Sequence, residues 1–355
     1  MGKLAVYKYI SFMLLVLSVL LAVFTLFGLF GGSVDPAGST AMAILVYALP
    51  WLIIGDIVML LYWLIRRKWH WLAIPAITLL CCLPYVGTIY QTGLFSDSHT
   101  RRSGLNVVTY NVACFGRELT GFKSQNILSQ MRSLNVEVLC MQEYLDTSGD
   151  KLNSDSYKEY FPYMAQGRSD MVIYSRHPII NQGIIDFGKT NNSGQWADID
   201  AGGHKVRVIN VHLETTGINR ALHQAAKANA AAGADIAQNR GAIFNAIFGS
   251  FTRGMVMRAR QADQVARLIK ESELPVILCG DFNDVPYSYV YQTMLGDLTD
   301  GFKECGKGFM YTMRDGKKQV RIDYIFHDSQ IQGDTYTRLD INYSDHFPVF
   351  MKLNF

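Results

Sequence analysis

The chemistry of this chain is carried by polar residues that follow directly on apolar, β-branched runs. In order they are Asn111 in TYNVACF, Glu143 in LCMQEY, His212 in INVHLET, Asp281 and Asn283 in CGDFNDVP, Asp323 in RIDYIF, and Asp345 with His346 in SDHFPV. A hard cation such as magnesium takes carboxylate and amide oxygens and keeps several waters, and Glu143, Asp345 and Asn111 can supply such oxygens. Cysteine-rich zinc spacing is absent. A histidine beside an acid can donate to a phosphoryl oxygen, while a further acid holds its ring in orientation. Each piece also has a plain structural reading: GDFND as an Asx-rich turn, Glu143 as a surface acid, His212 as a satisfied core histidine. Independent turns would not be expected to place such groups, in order, at the end of one β-rich run after another.

The elements that must position them alternate between strand and helix. Residues 105–114 read as a strand, 121–134 as a helix with Ile127, Met131 and Leu134 on one face, and VEVLCMQE as a short strand ending in acid. Strands follow over 170–175, 179–187, 195–200 and 204–213. The pattern then changes to Ala-rich, helical sequence over 218–248 and an amphipathic stretch over 255–270, with Ala262, Val265 and Ile269 along one stripe. A strand at 275–280, a short helix near 287–295 and strands at 320–327, 330–338 and 346–353 complete the chain. Periodicity supports a two-sheet α/β protein and leaves its topology open. The stretches 31–40 and 96–104, rich in Gly, Ser, Asp and Thr, are the expected hinges.

Over residues 105–355 the sequence resembles the endonuclease/exonuclease/phosphatase superfamily, which includes pancreatic-type deoxyribonuclease, abasic-site endonucleases, inositol-polyphosphate 5-phosphatases and neutral sphingomyelinases. The resemblance rests on GDFN at 280–283 and SDHFPV at 344–349, with YNV at 110–112, QE at 142–143, NVHL at 210–213, IDY at 322–324 and YSRHPI at 174–179. It is that of a membrane-anchored bacterial member. The implied fold class is α+β, a four-layer α/β/β/α sandwich of two packed mixed sheets flanked by helices, with the site in a cleft between the sheets. The resemblance implies Glu143 as principal magnesium ligand, with manganese as a substitute, Asn111 nearby and Asp345 supporting. It further implies Asp281 as general base, Asn283 as positioner of water and phosphate, His346 on the scissile phosphate oriented by Asp323, and His212 as the second phosphate-contacting histidine. The expected reaction is one-step in-line attack of water on phosphorus.

Ahead of that domain lie apolar stretches. The chain has 355 residues, 18% of them charged, and a mean hydropathy of +0.09. Residues 9–30 carry no charge, 41–65 only Asp56, and 71–95 none, so three transmembrane helices are expected at about 9–30, 41–65 and 71–93, with a linker over 96–104. A cleaved signal would have a shorter apolar core. Lys3 and Lys8 before the first span, and Arg66, Arg67 and Lys68 after the second, place the N-terminus in the cytoplasm. Three crossings then make this a multi-pass inner-membrane protein with an extracytoplasmic, periplasmic catalytic domain. Arg101 and Arg102 run against that orientation.

Six cysteines show no disulfide spacing; Cys140 and Cys279 read as buried strand residues and Cys305 as part of a Gly-rich loop. A formal charge of +3 is too small to imply nucleic-acid binding. The stretch 218–257 exceeds what a compact family member needs, and its Ile243, Phe244, Ile247, Phe248 and Phe251, followed by Arg253 and Arg258, suit an interfacial helix. Packing on the outer sheet face is the alternative. Arg168, Arg207, Arg220 and Arg253 are candidate contacts for an anionic substrate. The expected partners are the lipid bilayer and a phosphoester, lipid or otherwise membrane-proximal; nucleic acid stays open through the alternative of a tethered nuclease, and no protein partner is expected. A non-catalytic interaction module would have lost a residue of the set, and none is lost.

Overall fold

The computed structural model describes residues 3–93, 104–116, 124–144, 154–168, 170–231, 240–314 and 319–355. It divides into one compact unit of Met1–Thr88 with Pro286–Gln292, and a second of Ile89–Val285 with Thr293–Phe355. The expected linker lies largely outside the described residues.

The first unit is helical: α1 (Lys3–Gly31), α2 (Thr40–Ile65), α3 (Trp69–Cys81) and α4 (Leu83–Val86). Most large apolar side chains of α1 and several of α2 are exposed, while polar ones turn to each other. Thr25 Oγ1 donates to Asp56 Oδ2 (2.7 Å) and Trp63 Nε1 to Ser18 Oγ (2.9 Å), so Asp56 is buried between helices. Two stretches, Ala5–Gly31 and Thr40–Ile65, are long and apolar enough to cross a bilayer. The third expected span is not one helix. It stops at Cys81 after 13 residues, and α4 begins at Leu83 with Pro84 in its first turn, where the missing N–H cannot continue the bonding ladder of α3. Thirteen residues rise about 20 Å, short of a hydrocarbon core of about 30 Å.

The second unit is built on two six-stranded sheets. In chain order it contains β1 (Tyr90–Gln91), β2 (Gly104–Asn111), α5 (Ala113–Gly116), α6 (Ser124–Ser133), β3 (Val138–Gln142), α7 (Ser154–Tyr160), β4 (Tyr163–Gln166), β5 (Val172–Ser175), β6 (Ile179–Ile185), β7 (Gly194–Ala201) and β8 (His204–His212). Then come α8 (Ile218–Ala231), α9 (Arg240–Lys270), β9 (Val276–Asp281), α10 (Tyr289–Leu295, of which Tyr289–Gln292 belong to the first unit), β10 (Thr299–Asp300), α11 (Gly301–Cys305), β11 (Gly308–Phe309), β12 (Asp323–His327), β13 (Gln332–Arg338) and β14 (Val349–Asn354). One sheet has the order β13-β14-β2-β3-β5-β4 and the other β10-β12-β9-β8-β7-β6. Each is antiparallel except for a central parallel pair, β2/β3 in the first and β8/β9 in the second.

Alternation along the strands makes the layers. Val107, Val138, Cys140 and Ile173 of the first sheet share one core with Ala197, Val208, Ile277, Cys279 and Ile325 of the second, whereas Val108, Tyr110, Leu139 and Met141 face outward onto Ile127, Leu128 and Met131 of α6. Helix α9 turns Met255, Ala259, Ala262 and Val265 inward. These are two mixed sheets flanked by helices, as expected.

Three local expectations change. The helical sequence expected to 248 and the amphipathic stretch expected from 255 join in the 31-residue α9, whose GSFTRG has no proline to interrupt it. Cys305 is buried in α11 rather than in a loop, and all six cysteines are free. The short β1, β4, β10 and β11 and helix α7 were too brief to show a period.

Candidate functional site

The parallel pairs decide where the chemistry goes. In a parallel pair both C-terminal ends lie on one side, and here their last paired residues are Asn111 with Gln142 and His212 with Asp281. Glu143 follows β3 immediately. Strand β12 is antiparallel to β9, so its first residue, Asp323, is registered opposite Asp281. Beneath the ends, Gln142 Nε2 donates to Asn210 Oδ1 (2.6 Å) and Thr109 Oγ1 (2.9 Å), and Asn210 Nδ2 donates to Met141 O (3.1 Å) and Val172 O (3.2 Å). These buried amides tie the two sheets across the floor of the cleft.

The GDFN turn is shaped by its backbone. Gly280 has φ +136°, and a Cβ there would lie 2.0 Å from Val211 O on the neighbouring strand, so only glycine lets β8 and β9 approach. Asp281 Oδ1 accepts from Asn283 N (2.9 Å), closing an Asx turn that holds Asn283 at φ +50°. Asn283 Nδ2 donates to Leu213 O (2.9 Å), linking the two strand ends. Glu143 also adopts a left-handed conformation, φ +51°, and such residues cluster where function holds them.

Asp281 is the hub. Its Oδ2 accepts from Asn111 Nδ2 (3.0 Å), and the Nε2 atoms of His212 and His346 each stand 3.8 Å from it. Behind His346, Nδ1 meets Asp323 Oδ2 at 2.9 Å; behind His212, Nδ1 stands 3.5 Å from Asp170 Oδ2. His212 Nε2 is also 3.8 Å from Glu143 Oε1, and neither of its ring nitrogens has a well-aligned hydrogen-bond partner. Burial disfavours a charged His346, yet Asp323 and Asp281 outweigh it and raise its pKa to about 10. His212 is pulled the same way: burial opposes its charge, but Asp170, Asp281 and Glu143 raise its pKa. Burial, then the charge of Asp323, raise the Asp281 pKa against the opposing pull of both histidines and Asn111. Two imidazoles, both favoured toward their charged form by the surrounding acids, thus flank the buried Asp281, an arrangement suited to binding and polarising an oxyanion.

The donor chemistry fits a hard divalent cation. Glu143 stands at the mouth with its side chain 36% exposed, and Asn111 Nδ2 lies 3.2 Å from its Oε1. Asn111 Oδ1 accepts from Ala113 N (3.0 Å), and Asp345 is exposed with Ser344 Oγ at 3.3 Å from Oδ1. Asp281, Asp323 and His346 also offer ligand atoms within 4.8 Å of one another. Asp323 already engages His346 Nδ1, whereas the Glu143 carboxylate stands at the mouth where it could hold a hard cation.

Asn111, Glu143, His212, Asp281, Asn283, Asp323 and His346 are therefore brought together, and Asp345 is adjacent through the SDH turn. The arginines are not. Arg207 grips Asp198 (2.7 and 2.9 Å) and stacks on Trp196 in mid-strand, five residues before His212. Arg168 is exposed and bonded to Asp186 (2.7 Å). Arg253 lines a 310 Å³ cavity between α8 and α9. The Arg220 side chain lies outside the described residues.

Several residues of the site escaped the sequence reading. Asp170 heads β5, which runs antiparallel to β3 (Val172 opposite Met141) and so delivers it to the Glu143 end; the strand was visible, its direction was not. Ser344 Oγ donates to Asn111 O (2.7 Å) and accepts from His346 N (3.1 Å), and Thr312 Oγ1 accepts from Asp323 N (3.0 Å). Arg258, read as part of an interfacial segment, is fully buried. Its Nε donates to Asp284 (3.0 Å) and its Nη1 to Glu214 O (3.1 Å), while Gln261 Oε1 accepts from Glu214 N (2.8 Å).

Comparison with known proteins agrees with this geometry. The model of the Endonuclease/Exonuclease/phosphatase family matches residues 108–346, more than half of the chain, and a model described as a domain of unknown function matches residues 11–89. No curated protein matches. Among solved structures, an endonuclease/exonuclease/phosphatase from Bacteroides vulgatus is similar at 16% identity, 71% of this chain, 99% of that chain and a TM-score of 0.51. D. rerio TDP2 complexed with single strand DNA product is similar at 17% identity, 71% and 100% coverage and 0.50. The human Nocturnin catalytic domain with bound sulfate is similar at 16% identity, 75% and 100% coverage and 0.50. At such identities the likeness is one of fold.

Proposed function

Because this chain belongs to the endonuclease/exonuclease/phosphatase family, we propose that it hydrolyses a phosphodiester or phosphomonoester by in-line attack of water. One observation carries the reading: His212 and His346 each direct Nε2 to within 3.8 Å of the same Asp281 oxygen, with a carboxylate behind each ring. The charged imidazoles hold the nonbridging oxygens of the phosphoryl group and stabilise the charge that grows there. Asp281 accepts the proton of the attacking water, and Asn283, fixed by Leu213 O, aligns water and phosphate. Asp323 and Asp170 keep the two rings in orientation. Magnesium, or manganese in its place, would be held by Glu143 with Asn111 and Asp345 and supplies charge neutralisation at the nonbridging and leaving oxygens.

For the substrate we favour a phospholipid or another phosphoester held at the membrane. The support is the pair of bilayer-length helices on the same chain and the apolar face of α9. Lys3 and Lys8 in the first turns of α1, ahead of its uncharged run, and Arg66, Arg67 and Lys68 after α2, suit the cytoplasmic face. We place the catalytic unit on the extracytoplasmic side, which requires the 69–86 stretch to cross despite its break. An alkaline phosphatase fused after Phe355 should then be active in cells; an inactive fusion overturns the placement.

The activity itself is tested with full-length protein and Glu143→Gln in detergent micelles, on mixed phospholipids and on plasmid DNA, with and without magnesium. Metal-dependent headgroup or phosphate release, lost in the variant and without DNA nicking, supports the lipid reading. Plasmid cleavage lost in the variant, with lipid untouched, makes the protein a tethered nuclease. Activity that survives both a chelator and the variant sinks the metal-dependent mechanism.

A further inference from the structure

The crossover from β8 to β9 holds a surface that the phosphoester site does not use. On the N-terminal half of α9, Phe244 is 64% exposed and Phe248 46%, one turn apart with their rings stacked at 6.0 Å. Half-buried Ile247 and Phe251 lie beside them, and on the companion helix α8 Leu222 is 41% exposed. A solvated helix seldom offers stacked phenylalanines to water, because each leaves a large apolar area hydrated.

Charge says what covers this face. Residues 218–231 and 240–260 contain no Asp or Glu, yet contain Arg220, Lys227, Arg240, Arg253, Arg258 and Arg260. Arg258 is spent on Asp284, but Lys227, Arg240, Arg253 and Arg260 are exposed. Over these described stretches an apolar stripe accompanied by cations and no acid complements an anionic lipid surface, where rings enter the acyl boundary and guanidinium groups meet phosphates. The occupant is at hand, because the same chain carries two helices of bilayer-crossing length.

We infer that the α8–α9 hairpin docks on an anionic bilayer through Phe244 and Phe248, making the lipid surface a second ligand of the catalytic unit. Docking has a route to the site, since α9 holds Asp284 and Glu214 through Arg258 and Gln261. Those two residues lie directly after the strand ends that carry Asp281 and His212. The consequence for turnover rests on the phosphoesterase reading above; the docking does not.

The test uses full-length protein in nanodiscs of phosphatidylcholine, with or without phosphatidylglycerol. F244W adds one tryptophan to the five native ones, and its added emission is read against acyl-brominated lipid. Y163W, at a residue 40% exposed on β4, is the control. The emission added by F244W should be quenched more than that added by Y163W, more strongly with phosphatidylglycerol, and less as salt screens the arginines. Equal quenching of the two variants, or none, overturns the proposal. A second arm compares wild type with F244D/F248D. Turnover of a bilayer-held phosphoester should fall about tenfold while that of soluble bis(p-nitrophenyl) phosphate is unchanged; an equal fall on both overturns it. If wild type hydrolyses neither, the phosphoesterase reading fails and the quenching result alone decides docking.

Discussion

In the first sheet, β2 and β3 end at Asn111 and Gln142; in the second, β8 and β9 end at His212 and Asp281, and each parallel pair needs a crossover to return the chain. The two crossovers differ in kind. The described helices of the first, α5 and α6, are short, and Ile127, Leu128 and Met131 of α6 serve as apolar cover in a cluster with Tyr157 and Phe161. The second contains the 31-residue α9, which covers its sheet and also bonds through buried Arg258 and through Gln261 to the loops following His212 and Asp281. Asp281 and His212, to which proton handling and phosphate contact are ascribed in the proposed mechanism, thus lie on the side whose crossover is fastened to the loops by polar bonds. A site that needs its acid and imidazoles fixed to a fraction of an ångström gains from directional ties, whereas apolar packing alone tolerates sliding.

The largest expected effect is on the second pair's own chemistry. Asp281→Asn should keep the fold, since the Asx turn to Asn283 N can re-form on an amide oxygen. It should lower kcat by about a thousandfold, near 4 kcal/mol of barrier, read under saturating substrate. Next is Arg258→Met, which leaves Asp284 buried without its guanidinium and should cost about 3 kcal/mol in denaturant unfolding. Activity should fall beyond what unfolding accounts for, because Glu214 and Asp284 are released together. A variant that unfolds at lower denaturant yet retains full kcat would show α9 to be cover after all, and would erase the contrast.

The strand-end residues were legible because period-two alternation exposes a strand, and a strand that stops at an acid or histidine declares its end. GDFN and SDHFPV did so most clearly. What stayed hidden depends on direction and distance. Asp170 needed the knowledge that β5 runs against β3, and Arg258 sits in a sequence whose arginines all look alike until one is found fully buried. Arg207 misled for the converse reason, its charge being taken up by Asp198 across the β7–β8 ladder. The third apolar stretch was legible as apolar but not as two helices, because hydropathy sums apolar residues and does not register the break at Cys82 between α3 and α4.

The floor between the sheets gives the third measurement. Gln142→Leu removes the donor to Asn210 Oδ1 and strands that oxygen in a fully buried place, so unfolding should be easier by about 2 kcal/mol. Asn210 still donates to Met141 O and Val172 O, which limits the loss. Both sheets share this tie, so a cost below that of Arg258→Met but well above the surface level is the expected middle rung.

The smallest effect tests the first sheet's counterpart to Arg258. Glu137, just ahead of β3, accepts from Asn106 N (3.0 Å) and pairs with His177 Nε2 (3.0 Å). It therefore anchors the end of the first crossover much as Arg258 anchors the second, but its side chain is 17% exposed and that of His177 26%, so water screens the pair. Glu137→Gln retains an acceptor for Asn106 N and gives up only the screened charge. The expected loss is about 0.5 kcal/mol with kcat unchanged. Were it to match Arg258→Met in stability and also slow turnover, the first crossover would be as much a part of the site's fastening as the second. The asymmetry would then lie in helix length alone.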